Sequence, residues 1–328
     1  MLRKLQLFCL TLFSSVLVNS QTSQLPVSCG NFAPPQQWED WMSKEVEKYK
    51  QNMANISGKT QLVNYDIPVI VHVIHFGEAV GTFPNIDTNQ IKSQIQVMND
   101  DFAGTGLNAA NIPAAFASRN AGNTGIKFCR AIKNQTGGVL PERGVDRVDC
   151  NDFMWQNPNT PTVNIVNFIN NQVIPATMWD PTQYFNIWIS DRSPTLTVTG
   201  FATYPFSTSL TGLIGGTMGA PLHDGVWCWT KAFGTIGTLQ APYNKGRTMT
   251  HETGHWLGLR HIWGDGNCLS DYCGDTPPSK APHTGCPSFP ADIDRCGVGQ
   301  SPDGEMFMNY MDKVDDDCMS LFTLFKKE

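Results

Sequence analysis

The pattern of apolar positions changes abruptly near residue 65. Residues 21–59 are mostly polar, and the helix predicted over residues 38–52 offers few apolar side chains to bury. Residues 67–74 then form the run Ile-Pro-Val-Ile-Val-His-Val-Ile, which predicts a buried strand. The change predicts that the main folded domain begins close to this strand.

The segments after this strand alternate between helix and strand patterns. Apolar residues at spacings of four, three and four, with Asp87 as N-terminal cap, predict a helix packed on the sheet: Ile91, Ile95, Met98 and Phe102. Further strands are predicted at 126–131, 184–189 and 201–204. This alternation indicates an α/β (α+β) class, in which helices cover a mixed sheet.

The chain loses its periodic pattern after Pro277. This last part is rich in proline, glycine and acidic residues and holds several cysteines. Because it offers little apolar surface to bury, we expect disulfides or bound ions to brace it.

Composition excludes some partners but does not identify a function. The chain has 328 residues, 41% of them apolar, which is enough for a sizeable core. Its net charge of −6 is mild and no long run of like charges occurs, so neither nucleic acid nor an anionic membrane is an expected partner.

The first twenty residues resemble a secretory signal peptide. Arg3 and Lys4 precede an apolar stretch over residues 5–18, which is shorter than the roughly 20 residues of a membrane-spanning helix. We therefore predict a secreted, extracellular protein without a membrane anchor. The predicted organisation is a signal peptide at 1–20, a pro-segment at 21–59 and a single large domain at 60–328.

The residues that carry chemistry lie at 251–261, which spell HExxHxxGxxH. Residues i and i+4 share one face of a helix, so His251 and His255 can both bind one Zn²⁺. Gly258 can adopt a positive φ and turn the chain, which lets His261 serve as the third ligand. Three protein ligands leave room for a water molecule, and Glu252 is placed to take its proton. The pattern predicts a zinc-dependent endopeptidase.

Three other interpretations of this motif remain open. A structural zinc site usually has four protein ligands, often cysteines, unlike this one. A catalytically inactive zinc-containing protein that binds peptides or inhibits proteases would not need Glu252. A zinc hydrolase acting on a non-peptide ester or amide is the third, and no pocket signature in the sequence indicates one.

The motif and the residues around it resemble the pappalysin family of metzincins. A methionine turn follows about fifty residues after His261, with Met311 as its candidate methionine, although it could also be core filler. The resemblance covers roughly residues 65–325, and the segments that carry it are 255–259, Asp271, 275–277, 307–312 and 315–319.

This resemblance implies a twisted five-stranded mixed sheet and two long helices above a zinc cleft, with an irregular lower part. It implies that a protein or peptide substrate lies along the edge strand of the sheet, which we expect near residues 224–229. It also implies disulfides Cys268–Cys296 and Cys286–Cys318. A bond between Cys129 and Cys150 is a further possibility, and Cys228 and Cys273 receive no partner.

The resemblance also implies latency. Cys29, followed by Gly30 in the predicted pro-segment, would occupy the open zinc position as a cysteine switch until the segment is cut away. The alternative is a disulfide between Cys29 and either Cys228 or Cys273. Activating cleavage is expected near Lys48 or at Lys59.

Specificity and further metal residues are implied in the same way. Asp316 is expected at the base of the pocket after the scissile bond, where it would favour Arg or Lys. Lys313 stands where such metzincins often have a tyrosine, and it either faces a developing oxyanion or points to solvent. Structural calcium is expected at loop oxygens of Asp265, Asp271, Asp275, Thr276 and Asp303. His223 and His283 are interpreted as loop residues rather than ligands, and the oligomeric state is not predicted.

Overall fold

The computed structural model describes residues 29–31, 33–55, 64–206 and 223–324. The predicted signal peptide and Lys59 lie outside the described residues. Helix α1 spans Gln36–Asn55, within the predicted pro-segment. Among the described residues, no helix combines the length and the apolar character needed to cross a bilayer.

The domain that follows alternates strands and helices, as the apolar pattern predicted. Helix α2 (Thr88–Phe102) begins at Asp87, whose side chain accepts hydrogen bonds from the backbone N–H groups of Asn89 and Gln90. Three-residue to six-residue 3₁₀ helices lie at 109–111, 114–119, 150–153, 230–232 and 316–318. The other elements are β1 (Tyr65–His75), β2 (Ile126–Arg130), β3 (Val145–Asp149), α3 (Ile165–Phe168) continued by a π-helical turn (Ile169–Val173) and α4 (Ile174–Thr177), β4 (Phe185–Ser190), β5 (Gly200–Ala202), β6 (Val226–Trp229) and α5 (Arg247–Trp256).

The six described strands form one mixed sheet in the order β2, β1, β4, β6, β5. Strand β3 shares the outer position with β2, because β2 pairs with residues 65–69 of β1 and β3 with residues 71–75. The sheet is therefore five strands wide, as expected. All pairings are parallel except β5 with β6, which is antiparallel.

The expected position of the edge strand is wrong. Residues 226–229 form β6, which pairs with β4 on one side and with β5 on the other. The edge nearest the zinc motif is β5, a strand of only three residues. The sequence did carry the signal, since a continuous Val-Trp-Cys-Trp run is typical of an interior strand.

Both faces of the sheet are covered. Phe185 of β4 stacks on Trp256 of α5, with ring centroids 4.0 Å apart. Trp188, three residues further along the strand, points to the opposite face, where its indole N–H donates to Thr177 of α4. This packing fixes α5 directly against the sheet, next to the edge strand.

Disulfides brace the irregular lower part of the domain. The structure joins Cys268 to Cys296 and Cys286 to Cys318, the two pairs that the resemblance implied. Cys129 and Cys150 are not bonded to each other. Cys129 pairs with Pro68 of β1, and Asp149, the residue before Cys150, pairs with His75 of the same strand. These two positions are seven residues apart along β1, which is about 23 Å at about 3.3 Å per residue. A disulfide needs Cα atoms within about 7 Å.

Candidate metal centre and active site

Helix α5 carries the first two histidines and is held in place at its N-terminus. Every residue from Arg247 to His255 is buried. The carboxylate of Asp316 accepts hydrogen bonds from the backbone N–H groups of Lys245 (2.7 Å) and Arg247 (3.3 Å). The guanidinium of Arg247 donates to Asp101 at 3.0 Å. These hydrogen bonds and charges hold the start of the helix in place.

The turn after α5 brings the third histidine to the same point. The helix ends at Trp256, and Gly258 has a φ of 97°, as the motif predicted. The backbone carbonyl of Leu259, within this turn, accepts a hydrogen bond from His255 Nδ1 at 2.7 Å. The turn therefore orients one histidine while it delivers another.

The three imidazoles converge through their Nε2 atoms. His255 Nε2 lies 3.1 Å from His251 Nε2 and 3.1 Å from His261 Nε2. Each Nδ1 faces an oxygen acceptor: the carbonyl of Tyr310 for His251, that of Leu259 for His255, and the Asp265 carboxylate for His261. Because each Nδ1–H is engaged, every Nε2 keeps a lone pair for a metal.

This arrangement fits a tetrahedral zinc site. Around Zn²⁺, two nitrogen ligands lie about 3.3 Å apart and a sulfur and a nitrogen ligand about 3.6 Å apart, given Zn–N of about 2.0 to 2.1 Å and Zn–S of about 2.3 Å. The observed nitrogen spacings are close to this value. Burial also lowers the pKa of His255 well below its ordinary range, which keeps the ring neutral and able to bind a metal.

Glu252 lies beside this centre and keeps one oxygen available. Among the described residues, its Oε1 atom makes no hydrogen bond, and its Oε2 atom lies 3.7 Å from the Cys29 thiol. Complete burial raises the pKa of Glu252 to about 8, although the Cys29 contact and the charge of Lys313 lower it. A carboxylate with this environment is suited to accept a proton near neutral pH.

The Met311 side chain packs directly under the zinc-binding helix. A Cβ atom at Gly254 would collide with Met311 Sδ, so glycine at this position lets the methionine approach the helix. Tyr310, next to it, supplies the carbonyl that orients His251. The methionine turn thus contributes both packing and a hydrogen bond to the metal centre.

Cys29 completes the cluster from outside the domain. Its Sγ atom lies 3.5 Å from His255 Nε2, and its side chain is buried. These two atoms and the Nε2 atoms of the other two histidines all lie within 4.8 Å of one another. Cys29 forms no disulfide, so the alternative pairing with Cys228 or Cys273 is absent from the structure.

The residues next to Cys29 bind the edge strand. The N–H of Gly30 donates to the carbonyl of Gly200 (2.9 Å), and the Asn31 side chain accepts from the N–H of Ala202 (2.9 Å). Gly30 leaves no room for a Cβ atom, which would lie 2.9 Å from Val198 Cγ1. Residues 29–31 therefore occupy the edge of β5 beside Glu252.

Helix α1 docks on the residues that follow β5 and on the turn that follows α5. Trp38 is buried, donates to the carbonyl of Pro205 at 2.7 Å, and packs on Tyr204. Glu39 and Arg260 form a buried ion pair. A cleft of about 510 Å³, which Trp38, Glu39 and Met42 also line, lies between α1 and residues 257–260 and 271–274. Contact is therefore concentrated in the first turns of the helix.

Asp265 has a different role from the calcium ligand that was expected. One of its oxygens contacts His261 Nδ1, and the other accepts from Arg260 Nε at 3.0 Å. The structure does not gather Asp265, Asp271 and Asp275 into one ligand cluster within its described part, and Asp303 is exposed. The sequence predicted a calcium ligand at Asp265, although a carboxylate four residues after His261 also favours a partner for that imidazole.

Replacing Asp265 with alanine should weaken zinc binding by about 10- to 100-fold, because it removes the partner that orients His261. The measurement is competition with a chelator of known zinc affinity. Asp152→Ala, at an exposed position, serves as the control. An unchanged zinc affinity for Asp265→Ala would show that the carboxylate does not support the ligand.

The other residues expected from the sequence include Lys313, Asp271 and His283. Lys313 is half-buried, and its Nζ atom lies 5.4 Å from the ring centroid of Trp263. Burial raises the pKa of both Cys29 and Glu252, and the charge of Lys313 partly offsets that rise. Asp271 accepts from the N–H of Cys273 at 3.0 Å, within the turn that also holds Thr276. His283 lies in a loop but is buried, unlike an ordinary loop residue.

Comparison with known proteins agrees with this geometry. Residues 232–326 match the peptidase M43 family model, described as pregnancy-associated plasma protein-A. Extracellular metalloprotease 1 of Coccidioides posadasii is 42% identical over 105 residues, 31% of this chain and 34% of the relative. An extracellular metalloprotease of Colletotrichum graminicola is 41% identical over 104 residues, 31% and 34% of the two chains. The matches thus span about a third of the length of these curated relatives.

Two solved structures cover far more of the chain. Mature mirolysin of Tannerella forsythia, in complex with a cleaved peptide, is 36% identical, with a TM-score of 0.64 over 80% of this chain and 89% of its own. A promirolysin mutant of the same organism is 34% identical, with a TM-score of 0.70 over 91% of each chain. On this likeness in sequence and fold, together with the family match across the zinc motif and the methionine turn, the chain belongs to the pappalysin family of metzincin metalloproteases.

Proposed function

We propose that this protein is a secreted zinc-dependent endopeptidase made as a latent precursor. The observation that carries the proposal is the convergence of three Nε2 atoms beside a buried glutamate whose Oε1 makes no hydrogen bond among the described residues. The relatives named extracellular metalloproteases and the structure of mirolysin with a cleaved peptide support it.

His251, His255 and His261 would hold the ion. Zn²⁺ bound there would act as a Lewis acid that polarises the scissile carbonyl and acidifies a water molecule. Glu252 would accept the proton of that water and pass it to the leaving amine. An extended substrate would lie along β5, where residues 29–31 now form two hydrogen bonds with the strand.

The test is cleavage of a denatured protein and a mixed peptide library by the full chain after removal of its pro-segment. We expect cleavage that phenanthroline abolishes and that added Zn²⁺ restores. Small esters and amides, tested beside the peptides, should be poor substrates. Stoichiometric zinc without any peptide cleavage would contradict the proposal and favour an inactive binding protein.

Latency is the second part of the proposal. The Cys29 thiol, the pairing of Gly30 with Gly200, and the Glu39–Arg260 ion pair together cover the metal centre and the edge strand. The larger share of this chain covered by promirolysin than by mature mirolysin supports a pro-segment in residues 21–59. Cleavage near Lys48 or Lys59 would release it.

Lys313 is proposed to stabilise the oxyanion that develops during attack on the carbonyl. Its electrostatic effect on both Glu252 and Cys29 supports this role over one in solvent. Lys313→Met should lower kcat by about tenfold, less than the roughly 10²-fold or more for a buried oxyanion donor, because the side chain is half-buried. KM should change little, Lys313→Arg should retain most activity, and Lys280→Met is the exposed control. An unaltered kcat for Lys313→Met would remove the role.

Asp316 is proposed to favour Arg or Lys on the leaving side of the cleaved bond. The Asp316 carboxylate lies at the start of α5, where it accepts from the backbone N–H groups of Lys245 and Arg247, about one helical turn before His251. Burial raises the pKa of Asp316 to about 7. The negative charge that attracts a basic side chain is therefore lost as the pH falls through this value.

The preference for Arg or Lys over Leu should consequently increase between about pH 6 and pH 8. The measurement is the ratio of kcat/KM between peptides that differ only in the residue after the scissile bond. In this ratio the effects of pH on zinc binding and on Glu252 cancel. A Gln-to-Leu ratio serves as the uncharged control. A basic preference that is absent, or that does not change with pH, would contradict the assignment.

Calcium remains a proposal for the turn that holds Asp271, Asp275 and Thr276. Thr276 Oγ1 is buried and makes no hydrogen bond among the described residues, which supports an oxygen-rich site there. Calcium should then raise the Tm of zinc-loaded enzyme, and a Tm that does not respond would exclude this site.

A further inference from the structure

A second cluster of potential metal ligands lies in the irregular lower part of the domain. His283, Asp292 and Glu305 each direct one ligand atom toward a common point, and these atoms lie within 4.8 Å of one another. His283 and Glu305 are buried, whereas the Asp292 side chain is 37% exposed. The cluster thus has two fixed groups inside and one group that can admit an ion from solvent.

The orientation of His283 is fixed by the methionine turn. Asp312, which follows Met311, accepts from the backbone N–H of His283 at 2.9 Å and faces its Nδ1 at 2.6 Å. The Nδ1–H is therefore the donor in this contact, so in a neutral imidazole the lone pair is on Nε2. A carboxylate that holds a histidine in this way is the usual partner of a metal-binding imidazole.

The other ring nitrogen meets acceptors only. His283 Nε2 lies 3.1 Å from Asp292 Oδ2 and 3.4 Å from Glu305 Oε2, yet it makes no hydrogen bond within the described part of the chain. Glu305 already accepts from Ser279 Oγ at 2.6 Å. Three facing lone pairs repel one another unless a cation lies between them, and buried carboxylates are costly without one.

Charge and spacing indicate what the cation is. Asp292, Glu305 and Asp312 carry three negative charges, and Arg295, which contacts Asp292 and lies 3.9 Å from Glu305, carries one positive charge. A divalent ion balances the two charges that remain beside a neutral histidine. Ligand atoms about 2.0 to 2.2 Å from a tetrahedral metal lie about 3.3 to 3.6 Å apart. His283 Nε2 lies 3.1 Å and 3.4 Å from the two carboxylate oxygens, which is close to this spacing. An imidazole with two carboxylates suits Zn²⁺ or a similar transition ion better than Ca²⁺.

We propose that His283, Asp292 and Glu305 form a second, structural site for a divalent transition ion such as Zn²⁺. Asp312 is its positioning residue, so the ion couples the irregular loop to the turn beneath the catalytic centre. The site does not depend on the proposed peptidase activity, because none of its ligands belongs to the HExxHxxGxxH motif. The rival occupant of the same space is a proton that makes His283 an imidazolium.

The test counts zinc in the full chain after exhaustive dialysis against trace Zn²⁺. Native mass spectrometry should find two ions per chain, one ion in Asp292→Asn, and two ions in the exposed control Asp303→Asn. With the catalytic site saturated, additional Zn²⁺ should raise the Tm of the native chain but not that of Asp292→Asn. Because Asp292 is partly exposed, we expect this variant to fold, and near-UV circular dichroism can verify it.

Three results would overturn the proposal. One is a single zinc ion per native chain, with stability that falls as the pH rises through the titration of His283, which would identify a proton as the occupant. Another is two ions retained in Asp292→Asn. The last is loss of both ions from that variant while it remains folded, since the catalytic site shares no ligand with this one.

Discussion

Glu252→Gln should reduce peptide hydrolysis by roughly 10²- to 10⁴-fold, the contribution expected of a general base. The amide keeps the shape of the side chain but cannot accept the proton of the attacking water. Zinc content should not change, because Glu252 is not among the residues proposed to hold the ion. The measurement is kcat/KM of the processed enzyme on its best library peptide, beside metal analysis of the same sample.

The matched control is Asp152→Asn, which also turns a carboxylate into an amide, at an exposed position away from the centre. It should retain full activity. If Glu252→Gln cleaved peptides at the rate of the native enzyme, another group would have to act as the base. If the native and variant proteins were equally inactive while loaded with zinc, the inactive peptide-binding interpretation would replace the peptidase.

Cys29→Ala should give an uncut chain with activity about tenfold or more above that of the native precursor, equivalent to about 1.4 kcal/mol. Burial, followed by the charge of Glu252, raises the pKa of the Cys29 thiol well above its ordinary value. A thiolate at this position therefore needs a metal cation to stabilise it. Without the sulfur, water can occupy the open position.

Release should be incomplete, because Gly30 and Asn31 still bind the edge strand and Trp38 still anchors α1. Intact-mass analysis must show that the variant is uncut when its activity is measured. Cys129→Ala is the control, since this half-buried thiol lies on β2 beside Asp66. A Cys29→Ala precursor as inactive as the native one would mean that covering the edge strand alone causes latency.

The zinc motif could be predicted from sequence because its geometry is local. His251, Glu252 and His255 lie on one short helix, and Gly258 determines the turn that brings in His261. None of these positions depends on how distant segments pair. The same is true of α2, whose apolar spacing and Asp87 cap are both confirmed.

The features that were missed depend on contacts across long stretches of chain. The place of β6 inside the sheet follows from its pairing with β5. The sequence predicted a strand at 201–204, but nothing in its pattern indicated which strand it pairs with. The Glu39–Arg260 pair joins residues in two different predicted segments. His283 lies in a loop, and its backbone N–H donates to Asp312, twenty-nine residues later in the chain. The sequence around His283 does not show this contact. The resemblance, not the spacing of the cysteines, implied the two disulfides.

We propose that one zinc position is held by the Cys29 thiolate in the precursor and by water in the processed enzyme. Zinc X-ray absorption spectroscopy on a chain whose second site is removed by Asp292→Asn can distinguish these ligands. We expect one sulfur at about 2.3 Å with three nitrogens at about 2.0 to 2.1 Å before processing, and only nitrogen and oxygen afterwards. A precursor whose zinc has no sulfur ligand would contradict it.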